Sequence, residues 1–224
     1  MSEYSELLED AIEIAERASQ IAVSYFRQAL LIEMKEDKSP VTIADKKTEE
    51  MIRTELGKYF PDHGILGEEF GAESKNSDYV WTVDPIDGTR SFVRGIPLFG
   101  TLLGLLHKGE VVVGVMVLPV LNETYFASKG MGAFCNGSPL HVSSTTTLES
   151  ALVSIGDTSA FESAGKISYV ESLRKKAGLV RGYTDCFGHS LVIRGSLDAM
   201  IDPVVSPWDI VPLACLIREA GGSY

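Results

Sequence analysis

The stretch Trp81 to Thr89 reads Trp-Thr-Val-Asp-Pro-Ile-Asp-Gly-Thr, an apolar, β-branched run that delivers two aspartates, Asp84 and Asp87, into a turn punctuated by Pro85 and Gly88. A strand that ends in such a turn constrains the whole chain, because it needs a sheet to bury its apolar residues and places its acids where α/β proteins position their sites. Pro85 fixes the backbone between the acids, and Gly88 lets a ligand approach the main chain closely. Asp84, Asp87 and the carbonyl of Ile86 are then poised to share hard cations, which take oxygen ligands.

The flanking sequence supplies the rest of a layered fold. From Leu7 to Leu30, apolar residues recur at steps of three and four, which predicts an amphipathic helix, and a second helix is expected over Ile43 to Tyr59 with a capping box at Thr42 and Asp45. Lys35 to Pro40 reads as a polar loop between them. Beyond Pro61, the segments Val80 to Asp84, Leu98 to His107, Val111 to Leu118 and Thr124 to Ser128 read as closely spaced strands of an antiparallel meander, with Asn136-Gly137 as a further tight turn. From Ala151 onward the pattern alternates strand and helix, ending in a helix over Pro207 to Ala220, so a second, α/β half is expected to begin near residue 145. The expected fold is α/β (α+β), a layered α/β/α/β sandwich of an N-terminal subdomain, residues 1–144, and a C-terminal subdomain, residues 145–224, with the site in the cleft between them.

Charge excludes some partners and suggests others. The formal net charge of −11 and the lack of a basic run argue against nucleic acid, whose backbone is held by clustered Lys and Arg. An acidic chain can still bind a phosphate if divalent cations bridge its carboxylates to the anion. Cys135, Cys186 and Cys215 are isolated from one another, which fits reduced thiols, and the acidic start of the chain lacks the order of a signal peptide. A cytoplasmic protein without a membrane anchor is expected.

Each acidic element has a plain reading as well as a functional one. Asp209 follows Ser206 by three residues with Pro207 between them, the pattern of a capping-box acid, and Asp45 invites the same reading. The adjacent pair Glu68 and Glu69 after Gly67 could be a solvated face, and Asp84 to Asp87 a loop of Asx turns. Four or five carboxylates meeting in one cleft would repel unless cations neutralised them, so a metal is the economical explanation if they converge.

Taken together, Gly67-Glu68-Glu69, Asp84-Pro85-Ile86-Asp87-Gly88-Thr89 and Trp208-Asp209 occur in an order and at separations that resemble the inositol monophosphatase-like family of metal-dependent sugar and polyol phosphatases. Lys35, Pro40, Val41, Thr42 and Asp45 match the family's upstream loop and helix start, so the resemblance covers nearly the whole chain. It implies that Glu68, Asp84, the Ile86 carbonyl, Asp87 and Asp209 hold two or three Mg²⁺ ions, with Mn²⁺ as a substitute, that activate the attacking water and stabilise the leaving alkoxide. It further implies catalytic roles for Glu68, for Thr89 and for Asp45, which would orient and deprotonate that water, and phosphate binding by Asp87, Gly88 and Thr89. Lys35 would add a positive charge near a third ion, and the protein would be a homodimer.

The resemblance fixes the reaction better than the phosphate monoester. Arg181 to Gly188, with Asp185-Cys186-Phe187-Gly188 at its end, is similar to the Gly-Asp-Cys-Tyr-Gly stretch of the family's histidinol-phosphatase branch, as is Asp198 to Pro203. L-Histidinol phosphate carries an ammonium and an imidazole, partners for Asp185 and Asp202, with Asp209 and Arg181 as further substrate contacts. Inositol phosphate or another sugar phosphate is the alternative, and a non-catalytic metal- or phosphate-binding protein is the rival from a different class. The four histidines, His63, His107, His141 and His189, are scattered and read as surface or packing residues. No dinucleotide fingerprint, Walker loop, zinc-protease or serine-hydrolase motif is present. Two departures from the family pattern are Pro212, expected to bend the last helix after Asp209, and an end at Gly221 to Tyr224 that reads as a shortened C-terminal subdomain with an exposed sheet edge.

Overall fold

A computed structural model describes residues 3–36 and 39–224; Met1, Ser2, Asp37 and Lys38 lie outside the described residues, and part of the connection expected over Lys35 to Pro40 lies there with them. Helix α1 spans Ser5–Tyr25, strands β1 and β2 are Glu33–Met34 and Pro40–Val41, and α2 spans Ile43–Tyr59. A run of strands follows: β3 Gly64–Gly67, β4 Gly71–Glu73, β5 Tyr79–Asp87, then the short α3 at Thr89–Phe92, then β6 Gly100–His107, β7 Glu110–Leu118, β8 Glu123–Ser128, β9 Gly132–Cys135 and β10 Ser138–Leu140. The rest alternates as β11 Leu152–Ile155, α4 Thr158–Ser163, α5 Ile167–Lys176, β12 Leu179–Arg181, α6 Asp185–Ile193, β13 Ala199–Ile201 and α7 Pro207–Glu219.

The eight strands β10-β9-β8-β7-β6-β5-β3-β4 form one sheet, antiparallel except where β3 runs parallel to β5. The expected meander is its spine. Two of its turns are set by residues that tolerate a left-handed backbone: Lys108 and Gly109 between β6 and β7, and Asn136 and Gly137 between β9 and β10, all at positive φ. Because β5, β6 and β7 carry apolar residues on both faces, both faces must be covered. On one side α1 and α2 bury Leu8, Ile14, Ile52 and Leu56 against Trp81, Val83, Leu103 and Val115. On the other, Cys186 and Ile193 of α6 and Leu213, Leu216 and Ile217 of α7 pack on Leu102, Met116 and Tyr125. The three parallel strands β12-β11-β13 form a second sheet, on which α4 and α5 lay Phe161, Val170 and Leu173. The expected α/β/α/β layering is therefore present, with α4 and α5 adding a further helical layer.

Two local expectations are corrected, and the helix around Pro212 is continuous. α1 ends at Tyr25 and not at Leu30, because Phe26 turns into an extended backbone to pack its ring against Phe92 and Phe99, 5.7 and 5.0 Å away, and Arg27 adopts φ 62° to bond the Gly95 carbonyl at 3.2 Å. The connection before α2 is not loop alone: β1 and β2 pair across it, with Lys35 N–H on Ser39 O. Pro212 does not interrupt α7, which runs unbroken from Pro207 to Glu219. Its turn lies in a groove left by the cross-strand pair Gly104 and Gly114, where a Cβ on Gly114 would overlap the Pro212 carbonyl and one on Gly104 would come 2.8 Å from its nitrogen.

Candidate active site

In a regular strand, residues three apart point to opposite faces, so Asp84 and Asp87 should diverge. They do not, because β5 carries one extra residue there: Asp84 lies opposite Leu102 and Asp87 opposite Gly100, three steps on one strand against two on the other. The bulge also accommodates Pro85, which has no N–H for the ladder, and its carbonyl is held by Thr101 Oγ1 at 2.9 Å. Ile86 N–H donates to Asp84 Oδ1 at 3.1 Å, so Asp84 faces the turn it starts.

Asp209 arrives from the far end of the chain. Its carboxylate caps α7, accepting Ser206 N–H at 2.7 Å, and carboxylate oxygens of Asp84, Asp87 and Asp209 lie within 4.8 Å of one another. Burial pushes the Asp84 carboxyl well above the usual carboxylate range, and the charges of Glu68, Asp87 and Asp209 push it further. Asp87 is raised well above that range by burial, then by Asp185 and Asp209, against the opposing bond from Cys186 N–H at the start of α6. Asp209 is raised by burial as well. Three clustered carboxylates, one buried and two half-buried, in which Asp87 and Asp209 raise the pKa of Asp84, suit a hard divalent ion, and the donor set holds no sulfur or nitrogen that would favour a softer one.

Asp45 serves two purposes with its two oxygens. Oδ2 accepts both Thr42 N–H at 2.8 Å and Thr42 Oγ1–H at 2.7 Å, closing the capping box of α2, while Oδ1 lies 3.2 Å from Thr89 Oγ1. Burial holds its carboxyl above the ordinary value, with the Thr42 bonds opposing. Thr89 Oγ1 also reaches the Ile86 carbonyl at 2.8 Å, so one hydroxyl proton has two acceptors. Gly88 precedes it at φ 84°, and a Cβ there would meet Leu98 O at 3.0 Å and Asp185 Oδ2 at 3.3 Å.

Glu68 adjoins the three aspartates, its charge acting on Asp84 and Asp209, and it also has a cationic partner. Its Oε1 pairs with Lys35 Nζ at 2.8 Å, and Glu69 Oε1 takes the same ammonium at 2.6 Å. Burial raises the Glu69 carboxyl to about 7 even though Lys35 pulls it down; burial also opposes the charge of Lys35, but its bonds to the two glutamates raise its pKa overall. Asp185 and Asp202 line a pocket of about 100 Å³ that opens beside Asp87 and Asp209. Arg181, in contrast, is exposed on the edge strand β12 and does not line this pocket.

Two side chains in the site went unread in the sequence. His189, expected to be a surface or packing residue, is buried in the pocket wall with Nε2 2.9 Å from Asp202 Oδ2; its position four residues after Asp185 on one helix was the available signal. Glu49, four residues after Asp45 on the buried face of α2, is wholly enclosed and accepts Glu69 N–H at 2.7 Å and Phe70 N–H at 3.2 Å. His63 and His107 do act in packing, stacked on either side of Tyr79.

Comparison with known proteins agrees with this arrangement. The inositol monophosphatase family model matches residues 3–224. A histidinol-phosphatase of Chlorobaculum parvum is 41% identical over 216 residues, covering 96% of this chain and 83% of that protein, and one of Mycobacterium tuberculosis is 38% identical over 218, covering 95% and 84%. The solved inositol monophosphatase of Zymomonas mobilis superposes with a TM-score of 0.88 at 31% identity, covering all of this chain and 86% of that one. Because the family model spans the described chain and the same carboxylates converge in space, this chain belongs to the inositol monophosphatase family and is a phosphoric monoester hydrolase.

Proposed function

We propose that the protein hydrolyses L-histidinol phosphate to L-histidinol and phosphate with Mg²⁺ as its cofactor. The observation that carries this reading is the meeting of Asp84, Asp87 and Asp209 beside a pocket that Asp185 and Asp202 also line. Asp84, Asp87, Asp209, the Ile86 carbonyl and Glu68 would hold the ions. When bound, divalent ions supply positive charge to the phosphate, make a water nucleophilic near neutral pH and steady the leaving oxygen.

The remaining work falls to the chain itself. Thr89 Oγ1 orients the attacking water and takes its proton as the Thr89 hydrogen passes to Asp45 Oδ1; the raised carboxyl of Asp45 suits a proton acceptor working near neutral pH. Asp87 and the backbone N–H groups of Gly88 and Thr89 position the phosphate. Asp185 and Asp202 pair with the ammonium and imidazole of the substrate, His189 fixing Asp202 in place. The names of the two relatives above support this substrate. Inositol 1-phosphate is a second reading, supported by the Zymomonas enzyme, since carboxylates also accept sugar hydroxyls.

Phosphate release with Mg²⁺ should be measured on histidinol phosphate, inositol 1-phosphate and fructose 1,6-bisphosphate. The expected result is a kcat/KM at least tenfold higher for histidinol phosphate, or about 1.4 kcal/mol of discrimination. A preference for inositol 1-phosphate would replace the substrate, and inactivity on all three with Mn²⁺ still bound would favour a binding protein. A homodimer in a reducing cytoplasm fits the family resemblance and the three free cysteines; light scattering at the 24.3 kDa or the doubled mass tests the assembly.

A further inference from the structure

The Gly67-Glu68-Glu69 segment forms the turn from β3 into β4, the kind of segment that ordinarily moves most in a fold. Here it is fixed from both sides. Glu68 N–H donates to Val83 O at 3.1 Å, extending the β3–β5 ladder by one bond, and the next two N–H groups, of Glu69 and Phe70, both end on the carboxylate of Glu49. Glu49 is a poor choice for a buried face unless it has such a duty, since an unpaired carboxylate there is costly. Its Oε1 also accepts Arg53 Nε at 2.8 Å, and the Arg53 guanidinium reaches on to the Gly71 carbonyl beyond the turn. Three N–H donors thus converge on one side chain that has no solvent exposure. Gly67 makes room for it: a Cβ there would overlap Glu49 Oε1.

We infer that Glu49, braced by Arg53, is a positioning residue that clamps the two peptide planes following Glu68 and so aims Glu68 at the metal site. The inference rests on the reading of Glu68 as a metal ligand. It explains two features that the chemistry itself does not use, a wholly enclosed glutamate on α2 and a glycine directly before the acidic pair. Glu49 touches neither substrate nor ion; it acts through the turn.

Glu49→Gln keeps the size of the side chain but replaces one acceptor oxygen with a donor that faces the N–H groups of Glu69 and Phe70. Calorimetric titration of the metal-free protein with Mn²⁺ alone should show affinity weakened at least tenfold, while circular dichroism in chelator still shows the wild-type fold at the titration temperature. Amide exchange at Glu69 and Phe70, slow in wild type, should become fast in E49Q. In turnover, the Mg²⁺ concentration for half-maximal rate should rise more than the rate at saturating Mg²⁺ falls. Unchanged Mn²⁺ affinity with a folded E49Q overturns the inference. Should E49Q not fold, Arg53→Gln decides: it leaves the two backbone bonds but removes the brace, and should weaken Mn²⁺ binding about threefold or more, whereas wild-type affinity in R53Q overturns the inference. Wild type that binds no Mn²⁺ at all would sink the metal-site reading itself, a different outcome from a variant that binds as wild type does.

Discussion

Replacing Asp87 by Asn should make the metal-free protein more stable and nearly inactive, two effects of opposite sign from one atom. In the folded chain the Asp87 carboxyl is raised well above its ordinary value by burial and by Asp185 and Asp209. A group raised in this way contributes fully below its unfolded pKa and loses that contribution as pH rises through the folded value, so at pH 7.5 the metal-free fold bears the cost of the charge or of the proton that cancels it. Asn never ionises. Its amide oxygen can keep the bond from Cys186 N–H, and its NH₂ can donate to a neighbouring carboxylate, turning repulsion into a hydrogen bond. Relieving an uncompensated buried charge is worth about 1–2 kcal/mol, or roughly 2–8 °C in the melting temperature of a chain this long. Scanning calorimetry in chelator at pH 7.5 should show that rise, and the gain should vanish below about pH 4, where Asp is protonated in both states. Added Mg²⁺ should stabilise wild type and do little for the variant. Turnover should fall by about 10³-fold, roughly 4 kcal/mol of lost transition-state stabilisation. A lower melting temperature for Asp87→Asn in chelator, or activity within tenfold of wild type, would refute the reasoning.

Thr89→Ala should lower kcat by about 10²-fold with Mn²⁺ affinity unchanged in calorimetry, whereas Thr89→Ser should keep most of the rate because the hydroxyl beside Asp45 survives. Gly114→Ala should cost about 2 kcal/mol, a drop of roughly 4–8 °C in melting temperature, because the added methyl overlaps the Pro212 carbonyl and α7 must shift away from the sheet. At pH 8 a thiol reagent should label the native protein slowly, since burial lifts Cys135 to about 11, Cys215 to about 12 and Cys186 well above its ordinary value, and label all three quickly in denaturant.

The parts of the fold that were legible in sequence are those where one local signal suffices. Strands β5 to β8 announced themselves by β-branched runs between turn residues, and α2 by its capping box and its apolar spacing. The end of α1 was not legible, because Phe26 and Arg27 leave the helix for partners nearly 70 residues away, a gain that helical periodicity does not register. The paired strands β1 and β2 escaped notice because two-residue strands carry no pattern. Within the site, the aspartates were found by their motifs, and capping at Asp45 and Asp209 leaves room for a second role: each has two oxygens, and the helix start uses one. Glu49 was overlooked because a glutamate on a helix reads as solvent-facing until its i, i+4 relation to Asp45 is weighed. Glu68, expected beside the aspartates, also meets Lys35, a pairing across 33 residues that spacing alone does not reveal.

The irregularity in β5 makes the distance along the chain between Asp84 and Asp87 a matter of parity. With the bulge kept, an insertion or deletion of one residue at Pro85 or Ile86 would give the two acids an even spacing across an odd irregularity and send one of them into the α1–α2 layer. Sequence identity around these two positions can therefore drift while their spacing cannot. Libraries that aim to retune this enzyme should vary the letters of the turn and leave its length alone.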